Sequence, residues 1–302
     1  MNELKRELLD SLDKFLIKEI ILTIIYHYAA KYNSEKLVNK IIQQNYPMGF
    51  GVNDKNIFVT DIKKIFVYDK KNTELLYTFG DILDNYNTPI SLINIEFNNP
   101  TTIIINGDVL YVTDSSNGQI QMFKINNNEL SFYGLFGKKE KLKYPMDIVI
   151  FDDEIFVNDS GNNKIIVYDK KNYKPRRIFD YKNFKQIYGM ALDKNFIFLT
   201  TRMTDSISVV DKKTFFVMRK IKISDICVRP IGIVLADDEL FIVDSTNSKI
   251  IVIDKESGKL VRIISNAEIR NLEWITIYDD EIYCSSKKND TKSLCILKRL
   301  IL

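Results

Sequence analysis

Two hydrophobic periodicities divide the chain. Leu4, Leu8, Leu12, Phe15, Leu16, Ile20, Ile24 and Tyr28 recur at three- and four-residue steps, which places them on one face of a helix running to about Ala30. A second, shorter helix is predicted from Ser34 as N-cap to just before Pro47, with Leu37, Val38, Ile41 and Ile42 as its buried face. Residues 1–45 are thus expected to form an α-helical hairpin. From Pro47 the apolar spacing drops to two, and short alternating runs are bounded by Asn, Asp, Gly and Lys, the chemistry of turns between strands.

The alternating part repeats itself. One phrase recurs as Ile57-Phe-Val-Thr-Asp61, Leu110-Tyr-Val-Thr-Asp114, Ile155-Phe-Val-Asn-Asp159, Ile197-Phe-Leu-Thr-Thr201, Leu240-Phe-Ile-Val-Asp244 and Ile282-Tyr-Cys-Ser-Ser286. The last residues of the copies are 53, 45, 42, 43 and 42 positions apart, the length of one four-stranded propeller blade. Upstream of the phrase a strand opens with Pro47, Pro100, Pro145 or Pro230, so four of the six prolines occupy one repeat position. Downstream come a polar turn and a third strand, as in Asp159-Ser-Gly-Asn-Asn-Lys-Ile-Ile-Val-Tyr-Asp169, and then a fourth strand such as Leu75–Phe79 or Leu260–Ile264.

This arrangement, Pro-x-Gly-Ile-x-Val followed by Ile-Tyr-Val-x-Asp-Ser-x-Asn-x-Lys-Ile-x-Val-Tyr-Asp, resembles the NHL repeat, and the resemblance implies an all-β, six-bladed β-propeller over residues 46–302. The third and fifth copies match best. The fourth has Thr201 and Ile187 where the aspartate and proline belong, and the sixth has Ser286, Leu272 and Trp274. A lone tryptophan argues against the WD type and the absence of paired glycines against the kelch type. The sixth copy supplies only three strands before the chain ends, and the segment before Pro47 reads as helix. A three-stranded last blade is therefore expected, with the helical hairpin packed near the seam or against one face.

Composition narrows the chemistry. The 302 residues are 45% apolar and 27% charged with a net charge of +3, which suits a soluble globular chain and names no polyanionic partner. Ile20 to Ala30 is the longest uncharged run near the start, far short of the roughly 20 residues that span a bilayer. Cys227, Cys284 and Cys295 are too few and odd in number for a disulfide framework, which points to the cytoplasm. The single histidine, His27, argues against Ser-His-Asp, Cys-His and multi-histidine metal sites.

The remaining candidates are set by their places in the repeat. Asp61, Asp114, Asp159 and Asp244 form a ring that reads as turn-forming carboxylates, with a calcium or substrate site as the alternative. Asp152-Asp153, Asp237-Asp238 and Asp279-Asp280 fall at equivalent turns, and the Asp-Lys-Lys triplets at 69–71, 169–171 and 211–213 fall on the same face as those pairs. On the opposite face the connections carry Lys63, Lys64, Lys138, Lys139, Lys141, Lys143, Arg202, Arg229, Arg270, Lys287 and Lys288, with Tyr144, Tyr188 and Trp274 nearby. Some NHL domains bind single-stranded RNA on such a basic face, so Lys138, Lys139, Lys141, Lys143, Tyr144, Tyr188, Arg202, Arg229 and Trp274 are the candidate partner or RNA contacts. At the channel mouth the resemblance places Met48, Thr101, Met146, Tyr188, Ile231 and Glu273, which offer one carboxylate. Related propeller lyases rely on histidine and metal, and propeller lactonases on Glu, Asn and Asp around a cation. His27 reads as a packing residue. Leu16 to Tyr28 resembles the first helix of an F-box, with Ile17 in place of the usual proline, and so implies a ubiquitin-ligase adaptor as a partner. Residues 81–99 form a long insertion between the first two blades, where repeat proteins place recognition elements.

The function expected from these features is a non-enzymatic binding scaffold that engages a protein partner through the loop face of the propeller, without cofactor or metal. Single-stranded RNA binding is the alternative, and a carboxylate- and cation-dependent hydrolase or lactonase the third reading.

Overall fold

Short strands joined by Asp/Asn/Gly turns pair most readily with their neighbours in sequence, and within each blade the structure is built from such local antiparallel pairings. The computed structural model describes residues 38–44, 47–80, 96–127, 129–181, 186–201, 204–265, 269–288 and 291–298. A strand β1 (Val38–Gln44) comes first. Blade one is β2 (Phe50–Val52), β3 (Asn56–Thr60), β4 (Ile65–Asp69) and β5 (Leu75–Phe79). Blade two is β6 (Pro100–Asn106), β7 (Val109–Asp114), β8 (Gln119–Asn126) and β9 (Glu129–Phe136), and blade three is β10 (Pro145–Phe151), β11 (Glu154–Asp159), β12 (Lys164–Asp169) and β13 (Pro175–Asp180). Blade four is β14 (Ile187–Leu192), β15 (Phe196–Thr201), β16 (Ser206–Asp211) and β17 (Val217–Lys222). Blade five is β18 (Pro230–Ala236), β19 (Glu239–Asp244), β20 (Lys249–Asp254) and β21 (Leu260–Ser265). Blade six joins β22 (Ile275–Tyr278), β23 (Glu281–Lys288) and β24 (Thr291–Lys298) to β1, in the order β1-β24-β23-β22. The chain is a six-bladed β-propeller.

Ring closure corrects the expectation of a three-stranded last blade. Residues 38–44, read from spacing as part of a helix, are a strand that pairs antiparallel with β24 from Ile42 opposite Leu294 to Val38 opposite Leu297. Leu37, Val38, Ile41 and Ile42 fit a helical face, yet the free edge of β24 offers a ladder that a short isolated helix cannot match. The ring therefore takes seven residues from the segment assigned to the helical hairpin. The first predicted helix, with its F-box-like residues and His27, and most of the insertion after Asp81 lie outside the described residues.

Burial follows the seams. Six apolar clusters each join two consecutive blades, for example Tyr111, Ile120 and Met122 of blade two against Ile148, Ile155 and Tyr168 of blade three. Both faces of each blade are covered, which is why the repeat phrase is a nearly unbroken apolar run: Ile57, Phe58 and Val59 all have 0% exposure. Polar ties cross the same seams. In blades one, three and five the lysine after the third strand reaches back to the preceding blade, Lys70 to Asp279 at 2.9 Å, Lys170 to Asn106 at 3.3 Å and Lys255 to Asp193 at 3.4 Å. Arg177 and Arg219 on the fourth strands reach forward, donating to the carbonyls of Lys212 and Lys255 in the next blade. The Asp-Lys pairs expected on a solvated face are thus in part joints between blades.

Among the described residues no helix is long and apolar enough to cross a membrane.

Candidate functional site

The first strand of each blade lines the axis, and its third residue sets the local shape. Counting from the repeat proline or its equivalent, those residues are Gly49, Thr102, Asp147, Gly189, Gly232 and Trp274. A register shift follows the strand's first residue in blades two to five, turning the backbone so that this position meets the neighbouring blade. Hydroxyls from the second strand hold it there. The Gly49 amide donates to Thr60 Oγ1 at 2.8 Å, that of Thr102 to Thr113 Oγ1 at 2.7 Å, that of Gly189 to Thr200 Oγ1 at 3.1 Å and that of Trp274 to Ser285 Oγ at 3.0 Å. The Thr or Ser of the repeat phrase therefore has a defined role.

Glycine occupies this position where the next inner strand comes too close for a side chain. A Cβ on Gly49 would lie 2.3 Å from the Thr101 carbonyl oxygen, and one on Gly232 2.8 Å from that of Glu273. Both contacts are with backbone, so Gly49→Ala is expected to cost about 1–3 kcal/mol. Urea denaturation measures it; an unchanged midpoint would mean that the inner strands separate freely.

Where the position carries a polar side chain, it reaches the next blade. Thr102 Oγ1 donates to the Met146 carbonyl at 2.8 Å. Asp147 Oδ2 accepts the Met190 amide at 2.8 Å and Oδ1 accepts the Ile148 amide at 2.9 Å. Burial pushes the Asp147 carboxyl up to about 7, against the opposing pull of the Met190 and Ile148 amides and the Thr102 hydroxyl. These residues wall an axial cavity of about 180 Å³, to which the inner strands of all six blades contribute, among them Phe50, Ile103, Val149, Met190, Val234 and Thr276. Trp274, 8% exposed, is among the lining residues that blade six supplies. Met146, three blades away around the ring, packs against the apolar cluster that contains Trp274 and Phe50.

The expected mouth residues are placed differently. Thr101 and Ile231 are buried, and Thr101 Oγ1 lies 2.8 Å from both Thr113 Oγ1 and Ser115 Oγ. Met48, Met146 and Tyr188 are half-buried and Glu273 is exposed. The cavity is walled one residue further on, by the set containing Thr102 and Asp147. Lining the six repeats up on the third position rather than the second exposes the breaks in an otherwise glycine-rich ring.

The basic-face candidates do not converge. Lys138, Lys139, Lys141 and Lys143 are exposed on the connection between blades two and three, and Tyr144 beside them is 52% exposed. Tyr188 and Arg229, on blade four and just before blade five, are half-buried. Trp274 is not on this face at all, since it lines the cavity, and Arg202 lies outside the described residues. The acidic pairs sit at separate turns, with Asp152, Asp237 and Asp279 in left-handed backbone conformation.

The repeat aspartates lock the connections between blades. Asp114 Oδ1 accepts the Asn98 amide at 2.8 Å, while Oδ2 accepts the side-chain amides of Asn117, Gln119 and Gln121 at 2.7–2.8 Å. Asp159 accepts the Lys143 amide at 2.6 Å and the Asn162 side chain at 2.8 Å, and Asp244 takes the equivalent amides of Val228 and Asn247. The stabilising contact is therefore with the preceding connection as well as the local turn. Asp114→Ala, which orphans buried amide donors, is expected to cost about 2–3 kcal/mol, and Asp61→Ala, where only the exposed Ile62 amide is lost, under about 0.5 kcal/mol. Equal losses in paired thermal melts would contradict this account.

No protein-family model matches the chain, and no curated protein sequence does. Solved structures do. A virginiamycin B lyase from Staphylococcus aureus is 15% identical with a TM-score of 0.58, over 87% of this chain and 99% of that one. A streptogramin B lyase is 14% identical with a TM-score of 0.59, over 87% and 88%. The PQQ-bound aldose sugar dehydrogenase of Streptomyces coelicolor is 12% identical with a TM-score of 0.60, over 86% and 97%. At these identities the likeness defines the class, a six-bladed propeller, and nothing finer. It also corrects the expectation of a non-enzymatic scaffold, because that expectation read a binding platform out of an architecture which these structures show in lyases and a dehydrogenase.

Proposed function

We propose that the protein takes a small organic molecule into its axial cavity, with Asp147 as the group that exchanges a proton or a strong hydrogen bond with it. The observation that carries this reading is the break in ring symmetry: five of the six equivalent positions are glycine, threonine or tryptophan, and the sixth places a single carboxyl in a cavity whose other lining residues are uncharged. A carboxyl poised near neutrality can either donate or accept at physiological pH, as general acid–base chemistry requires. Histidine-dependent chemistry is not part of the proposal, because the propeller contains no histidine. The NHL-type reading of the repeats is supported by the glycine at this position in blades one, four and five. Three buried free thiols support a reducing compartment such as the cytoplasm.

A fragment screen by thermal shift tests the proposal, with Asp147→Asn and Thr102→Val as comparators. Small-molecule hits on the unmodified protein that are lost or weakened at least tenfold in both variants support it. Hits indifferent to both variants, or no hits at all, overturn it.

A further inference from the structure

Taking the axial cavity as a small-molecule site, we propose that its ligand is a small organic cation, a primary or secondary ammonium on a short apolar body. The argument rests on what faces what across the ring. Asp147 lies on blade three and Trp274 on blade six, the opposite blade, and both line the same cavity. Asp147 brings the lining its one carboxyl, and Trp274 brings its one aromatic ring besides Phe50, a residue type that attracts cations. The rest of the lining comes from inner-strand residues that carry no charge, among them Ile103, Val149 and Val234, and from Gly49, Gly189 and Gly232.

The polar inventory is one-sided. Asp147 oxygens each receive one amide proton and retain free lone pairs, so an ammonium donor has acceptors to meet. The Thr102 hydroxyl has one proton, shared between the Met146 carbonyl and the Asp147 carboxyl, so it adds no cation to the site. Among the described residues the cavity lining holds no lysine or arginine that would neutralise the carboxylate internally or greet an anion. The groups acting on Asp147 from β6, β10 and β14 are a hydroxyl and two backbone amides, none of them charged. A buried carboxyl without a counter-charge is costly when ionised, and a ligand carrying that counter-charge recovers the cost. Size limits the class, since 180 Å³ is the space of on the order of six water molecules.

Trp274 is the only tryptophan in the chain, so its fluorescence reports on the cavity alone. The full-length protein is titrated at constant ionic strength with n-propylammonium chloride, propan-1-ol and sodium propionate. A saturable change is expected with the ammonium, at least tenfold weaker with the alcohol, and absent with the carboxylate. Affinity for the ammonium should rise about tenfold from pH 6 to pH 8 as Asp147 ionises, and Asp147→Asn should remove both the binding and its pH dependence. Thr102→Val, which keeps the carboxyl, should weaken binding less; it also serves as the comparator if Asp147→Asn does not fold. Equal affinity for alcohol and ammonium, tighter binding of propionate, or a flat pH profile overturns the organic-cation proposal while leaving the cavity reading intact. No change with any of the three probes overturns it as well, and the fragment screen then decides whether the cavity reading falls with it.

Discussion

Removing residues 1–45 is expected to lower the melting temperature of the propeller by more than 10 °C, because the cut takes away the fourth strand of blade six. β1 pairs with β24 over a ladder from Gln44 opposite Lys292 to Val38 opposite Leu297. A ladder of about six hydrogen bonds, each a net contribution of roughly 1 kcal/mol, puts the loss on the order of 5 kcal/mol. For a chain of this size each kcal/mol shifts the midpoint by about 2–4 °C. A free edge on β24 also invites intermolecular pairing, so the truncated chain should associate at high concentration. A peptide spanning residues 37–45 added in excess should restore the midpoint by re-forming the ladder. If the truncated chain melts at the original temperature, or the peptide has no effect, closure by β1 is wrong and the ring is held by blade packing alone.

Why closure escaped the sequence while the blades did not is a matter of contact distance along the chain. Within a blade each strand pairs with the next one in sequence, so alternation and turn residues suffice, as in Asp169, whose carboxyl accepts the amides of Lys171 and Asn172 at the turn between β12 and β13. β1 pairs with residues 250 positions later. Its segment Val38-Asn-Lys-Ile-Ile-Gln-Gln44 satisfies both a helical and an extended pattern, and only the distant edge chooses between them. Local periodicity has no access to that choice.

The site was half legible for a related reason. The repeat proline was readable, and so was the strand it opens, but the register shift after that proline decides which residue faces the cavity. Without it the residue next to the proline looks like the lining, and Met146 is read where Asp147 belongs. In the sequence Trp274 reads as a departure from the repeat on the basic face, because an aromatic near lysines resembles a base-stacking platform. In the structure Trp274 lines the cavity and packs in the seam between blades six and one, at a position where three other blades admit no side chain at all.

On the account of residue 147 alone, stability should fall with rising pH in the unmodified protein and stay level in Asp147→Asn. The folded protein holds the Asp147 proton up to about pH 7, whereas the unfolded chain releases it near 4. Between those values the native state binds the extra proton, so its stability on this group's account is complete below about pH 4 and declines as pH rises through 7. The gap of about three pH units corresponds to roughly 4 kcal/mol by pH 8. Asparagine is neutral throughout, but only its carbonyl oxygen can accept, so one of the Met190 and Ile148 amides loses its partner at a cost of about 1–2 kcal/mol. One pH unit into the decline, at pH 5, the unmodified protein has lost about 1.4 kcal/mol, so the curves are expected to cross near pH 5, with the variant melting lower at pH 3.5 and higher at pH 8. Paired melts across this range, taken as differences so that other titrating groups cancel, measure the effect. A variant that is less stable by the same amount at every pH would mean that Asp147 is ionised throughout and acts only as a tie between blades three and four.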